Sequence, residues 1–84
     1  MKITPIDTTF LTDKQSAHAY LASMLDFPGH YGKNLDALAD CLSELPRDRA
    51  VIVMNSRHAT EYAKSVIDVL AEILAPTGRI FILK

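Results

Sequence analysis

A small α/β domain, with a three-stranded parallel sheet packed by three to four helices, is predicted by three observations. Ala50 to Met54 is an unbroken apolar run rich in β-branched residues, the pattern of a parallel-sheet strand covered on both faces. Leu35, Leu38, Leu42 and Leu45 recur at helical spacing, as do apolar residues from Ala59 to Leu74. The elements alternate as strand, helix, helix, strand, helix, strand, and right-handed crossovers fold that order into one layered sheet.

Each element has its own signals. Lys2 to Ile6 reads as the first strand, and Pro5, which lacks a donor, assigns it to an edge or a strand end. Thr12-Asp13-Lys14-Gln15 has the form of a capping box, followed by Ala17, Tyr20, Leu21, Met24 and Leu25 at helical spacing. Phe27-Pro28-Gly29 ends that helix, because proline restricts the residue before it and glycine permits a positive φ. After the His30-Tyr31-Gly32 turn, Asn34 is the expected N-cap of the second helix, and Asp36 in its first turn suits the helix dipole. Pro46 stops it. Beyond the second strand, Ser56 is placed to cap the next helix. Its stripe of Ala59, Tyr62, Ala63, Val66, Ile67, Leu70, Ile73 and Leu74 runs to Pro76 and Gly78. That span reads as one helix, or as two joined with barely a break near Lys64-Ser65. Arg79 to Leu83 is the last strand.

Composition bounds the function. At 84 residues and 49% apolar, the chain is one domain, residues 1–84, with a small core. No window approaches the ~20 apolar residues of a membrane span, and Met1 to Pro5 does not open a signal peptide, so a cytoplasmic protein without a membrane partner is expected. One cysteine makes no internal disulfide. Net charge is −1, with no basic patch and no glycine-rich phosphate loop, so direct nucleic-acid binding is not expected. Distribution says more than the sum. Asp26, Asp36, Asp40 and Glu44 face only Lys33 within their own segment, while Arg47, Arg49 and Arg57 follow. The chain is dipolar rather than acidic.

Cys41 adjoins Asp40 and shares the chain with His18, His30 and His58. Successive helical residues point about 100° apart, which turns Cys41 toward the core side and away from the acids. The histidines show no metal-ligand spacing with it, so neither metal nor cofactor is expected, and no enzyme. Asp36, Asp40 and Glu44 are four residues apart and stack within about 80° of one another, opposite the leucine stripe. A row of carboxylates without a cation inside it resembles a row of phosphates. Its complement is a basic, phosphate-binding cleft.

The segment FPGHYGKNLDALADCLSEL, Phe27 to Leu45, carries the pattern P-x-x-Y-G-x-N-L-D-A-L-x-D-C-L through Pro28, Tyr31, Gly32, Asn34, Leu35, Asp36, Ala37, Leu38, Asp40, Cys41 and Leu42. A weaker echo lies in Ser65, Val66, Val69 and Glu72, then Gly78 and an apolar end. Together they resemble the barstar family, the intracellular inhibitors of secreted microbial ribonucleases. The order of elements agrees over nearly the whole chain, although the stretch between Asn55 and Ser65 is shorter here.

The resemblance implies a barstar-like fold and an immunity protein, monomeric when free, that plugs a ribonuclease active site. Its partner is then a cognate ribonuclease or a related toxin. Asp40 matches the family's aspartate that enters the enzyme's phosphate position, and Asp36 matches a second acidic contact. Glu44 extends the row at the rim, and Glu72 matches a peripheral charge contact. His30 stands where the family places the first of two adjacent aromatics, keeping a flat ring without the phenol. Tyr31 is the second, either a contact or an anchor of the loop. Gly32, with Gly29, is conformational and leaves backbone groups for the partner, and Asn34 belongs to the same loop-to-helix motif. Ala39 departs from the family, which carries a tryptophan there. Leu45 replaces another, and the chain has no tryptophan.

Overall fold

The computed structural model describes residues 1–83, in which the strands form one parallel sheet with the apolar run at its centre. Strand β1 (Lys2–Asp7) pairs along its length with β2 (Arg49–Met54), and β3 (Ile80–Ile82) lies on the other side of β2. Pro5 stands opposite Ile52 on the edge strand β1, where a missing N–H does least harm to the ladder. Three α-helices join the strands: α1 (Lys14–Leu25), α2 (Leu35–Ser43) and α3 (Glu61–Leu74). The core forms between Ile6, Val51 and Val53 on the sheet and Leu21, Leu25, Leu38, Leu42, Val66, Leu70 and Leu74 on the helices.

Only one sheet face is covered by helices. Ile3 and Phe81 on the other face are 51% and 47% exposed, and Ile52 between them is half-buried. The expectation that β2 is covered on both sides thus holds at Ala50, which is 1% exposed beside Ile3, and only in part at Ile52 and Met54, which are half-buried. A β1-β2-β3 order with crossovers of one hand puts every connecting helix on the same side of the sheet.

Helix ends show where local chemistry shifted the boundaries. Asp13, one residue after the position suggested by the capping-box pattern, caps α1 by accepting the Ser16 N–H at 2.8 Å. Of the stripe expected on α1, Ala17, Leu21 and Leu25 are buried, whereas Tyr20 and Met24 are half-buried and His18 takes a core position. The helix ends at Asp26 in the left-handed conformation (φ 58°), and the Phe27 N–H returns to the Ala22 carbonyl at 3.0 Å. Aspartate visits that conformation more readily than most residues. Gly29 therefore does not end the helix, and a Cβ there would meet nothing within 4 Å. Gly32 is constrained by approach rather than by φ: a Cβ on it would come within 3.2 Å of the Ala37 Cβ. The positive φ in this loop belongs to Lys33, at 56°.

Residues 61–74 form one continuous helix with no break at Lys64-Ser65. Thr60, not Ser56, is its cap: Thr60 Oγ1 accepts the Ala63 N–H at 3.1 Å and donates to the Leu11 carbonyl at 3.2 Å. Ser56 instead begins a separate 3-10 turn (Ser56–His58), and its hydroxyl donates to the Leu83 carbonyl at 3.1 Å. Another such turn (Ala75–Thr77) holds Pro76, and Gly78 at φ 67° releases the chain into β3. None of the described helices is long and apolar enough to cross a membrane.

Candidate functional site

The site is built by the join between α1 and α2. Asn34 Oδ1 accepts the Ala37 N–H at 2.7 Å and starts α2, as the sequence predicts. Leu38 and Leu42 are fully buried, which fixes the rotation of α2 and turns Asp36, Asp40 and Glu44 to the exposed side. The last turn tightens, with Leu45 N–H bonding the Leu42 carbonyl at 3.2 Å, and Pro46 follows.

Among the described residues, none of these three acids makes an ion pair. The pairs that form lie elsewhere, Arg49 with Asp26 at 3.7 Å and Lys64 with Glu61 at 3.9 Å. Asp26 is thus removed from the acidic segment it belongs to in sequence. It sits at the end of α1, and the neighbouring guanidinium offsets its charge. Helix α2 and its C-cap Glu44 together carry three carboxylates and no base.

Asp40 and Glu44 share a shallow groove of about 240 Å³ with His30, Tyr31, Gly32 and Cys41, so helix and loop meet there. Asp36 opens instead onto an adjacent groove with Asn34, Lys14 and Tyr62. Ala39 is half-buried on α2. Glu72 is exposed on α3, the helix packed against α2, and lines neither groove. A larger groove of about 460 Å³, between Thr8, Thr9, Asn55, Arg57 and His58, contains none of the predicted site residues.

Tyr31 turns inward. It is 7% exposed, its ring lies 4.8 Å from that of Phe27, and its hydroxyl stands 2.5 Å from His18 Nδ1. His30, by contrast, is exposed. Of the two adjacent rings, the histidine faces solvent and the tyrosine anchors the loop.

Sequence reasoning gave His18 no role beyond failing as a metal ligand, yet it is fully buried beneath the site, with its Nε2 2.6 Å from the Tyr62 hydroxyl. The signal was present. His18 precedes Leu21 by three residues and Leu25 by seven, which places it on the core stripe of α1. Burial, and then the charge of Lys14, hold the His18 imidazole below its ordinary value of 6.5. The unfolded chain then binds the extra proton more readily than the folded one. Stability should be full above about pH 6.5 and fall as the pH drops from there through the lower folded value. Urea midpoints measured from pH 8 to 5 should decline in the natural chain and much less in His18→Gln; equal slopes would remove His18 as the cause.

Cys41 is half-buried, and burial, then Glu44 and Asp40, push its thiol up, away from the thiolate that nucleophiles and metal ligands need. Among the described residues no three histidine, cysteine, aspartate or glutamate side chains are grouped to hold a metal ion.

Two comparisons bear on this arrangement. A family model described as "Barstar (barnase inhibitor)" matches residues 1–81. The "Putative ribonuclease inhibitor YrdF" of Bacillus subtilis (strain 168) is 37% identical over 60 residues, which are 68% of this chain and 64% of that protein. The match with YrdF thus spans less than two thirds of its length. The family match runs through β1, the loop, α2 and β2 and ends within β3. The chain belongs to the barstar family.

Proposed function

We propose that this chain is a stoichiometric, reversible inhibitor of a ribonuclease, which lays α2 and the preceding loop into the enzyme's active-site cleft. It acts in the cytoplasm as an immunity protein and has no activity of its own. The observation that carries this reading is the row of exposed carboxylates on α2, unpaired among the described residues, with Asp40 beside His30 in one groove. A cleft built for RNA phosphates offers guanidinium and imidazolium donors. Carboxylates held in a row satisfy them with short, charge-assisted hydrogen bonds. Asp40 is the central contact, Asp36 the second, Glu44 and Glu72 the rim, with His30 and the Gly32 backbone completing the loop side.

One observation favours a partner shaped differently from barnase: small Ala39 stands on α2 where the family carries a tryptophan. Immunity against another toxin with a similar cleft uses the same acidic face with a changed aromatic set.

Steady-state RNA cleavage by secreted microbial ribonucleases, barnase among them, tests the reading. The apparent inhibition constant should rise linearly with RNA concentration from its value without RNA, because inhibitor and substrate exclude each other. Cys41→Ser should inhibit as the natural chain does. A constant indifferent to RNA would sink the active-site plug. Lack of inhibition of every such enzyme at stoichiometric excess would sink the ribonuclease reading altogether.

A further inference from the structure

Beneath the acidic face, the imidazole of His18 stands between two phenols that belong to different elements. Tyr31, in the loop, approaches Nδ1 at 2.5 Å, and Tyr62, on α3, approaches Nε2 at 2.6 Å. Each phenol ring packs against the imidazole, with centroids 5.6 Å and 5.7 Å from that of the histidine. Burial raises the pKa of both phenols, so each keeps its proton at neutral pH. The set therefore holds three protons: two hydroxyl protons and the single N–H of neutral imidazole.

Three protons and two short contacts leave one proton to be placed elsewhere, and this decides the tautomer. If Nδ1 carried the proton, it would donate to Tyr31, and the Tyr31 hydroxyl would need another acceptor. Tyr31 is 7% exposed and its hydroxyl has no second partner among the described residues. If Nε2 carries the proton, Tyr31 donates to Nδ1, Nε2–H donates to Tyr62, and the spare proton rests on the Tyr62 hydroxyl. Tyr62 is half-buried and lines the open groove with Lys14 and Asp36, where water can accept that proton. A buried hydroxyl without an acceptor is the costlier arrangement.

We propose that His18, as its Nε2–H tautomer, is the positioning residue of the binding loop: by accepting the Tyr31 hydroxyl it locks the inward tyrosine and so fixes where His30 and Gly32 stand beside Asp40. Other observations fit. Lys33 holds a positive φ of 56°, a conformation that lysine keeps only when its surroundings impose it. The Tyr31 N–H closes a turn on the Pro28 carbonyl at 3.0 Å, so anchoring the ring also anchors that turn. The groups around the imidazole are Lys14 on α1, Tyr31 in the loop with Cys41 of α2 near it, and Tyr62 on α3.

The significance of this anchor for inhibition rests on the reading of the loop as part of the binding face, but the anchor itself is tested without a partner. Nitrogen-15 spectra of the free chain's imidazole should show a protonated Nε2 and an unprotonated Nδ1. Hydrogen exchange then compares Tyr31→Phe with Tyr62→Phe. Each removes one hydroxyl from the same histidine, so a merely structural role predicts similar behaviour. Positioning predicts that Tyr31→Phe speeds exchange at the position-31 amide, which bonds the Pro28 carbonyl, about fivefold or more, while Tyr62→Phe leaves it near the natural rate. Dissociation from an inhibited ribonuclease should quicken in the first variant only. A protonated Nδ1, or equal loop exchange in the two variants, would overturn the proposal. Loosened loop amides in a chain that inhibits no ribonuclease would leave the anchor standing and remove the inhibitor reading instead.

Discussion

Asp40→Ala should weaken the complex with the ribonuclease by about 2–5 kcal/mol while changing folding stability by no more than about 0.5 kcal/mol. The binding range already includes barstar complexes, so it is carried over from the family. The separation between the two effects follows from where Asp40 sits. It is exposed, on the face of α2 opposite Leu38 and Leu42, and no ion pair within the described residues depends on it. Its loss in the free chain removes a solvated carboxylate, whereas in the complex it leaves basic groups of the enzyme dry and unpaired. Calorimetric titration beside thermal unfolding separates the two. A variant that binds normally but melts early would mean that the binding face lies elsewhere.

Leu38→Ala should do the reverse. Leu38 is fully buried, two residues before Asp40 and on the opposite face of the same helix, and its removal should cost about 2–5 kcal/mol through lost burial and the cavity left behind. An 84-residue domain holds only about 4–13 kcal/mol in total, so the variant should lose a large share of its stability. Its melting temperature should fall by about 10 °C or more. At a temperature where the variant is still folded, its affinity should be reduced far less than that of Asp40→Ala. Thermal unfolding within about 3 °C of the natural chain would show that α2 is not held through this stripe.

Legibility followed the range of the interaction. The order of elements along the chain, the leucine stripe of α2 and its Asn34 cap could be read because periodicity and capping are local, written within a few residues. The acids of α2 were legible for the same reason: the stripe fixes the rotation, and rotation fixes the exposed face. Where competition was close, local patterns misplaced the boundary. Thr12 and Ser56 had the chemistry of caps, but Asp13 and Thr60 took those places. The open sheet face was read only in part, because a β-branched run does not show whether one side or both will be covered. His18 was harder, since its partners lie 13 and 44 residues away and only tertiary packing brings Tyr31 and Tyr62 to it. Asp26 shows the same limit: its proximity to Arg49 is a matter of space, not of sequence.

The uncovered side of the sheet gives the molecule a back. The connecting helices, α2 with its acids among them, lie on the other side of the sheet, so a surface, dye or carrier fixed at Ile3 or Phe81 approaches from the side away from them. Cysteine placed at position 81, with Cys41 changed to serine, offers a single thiol for such attachment. A sensor chip built this way would hold every molecule in the same orientation, helical side outward, where random lysine coupling would also engage Lys14, which lines a groove with Asp36.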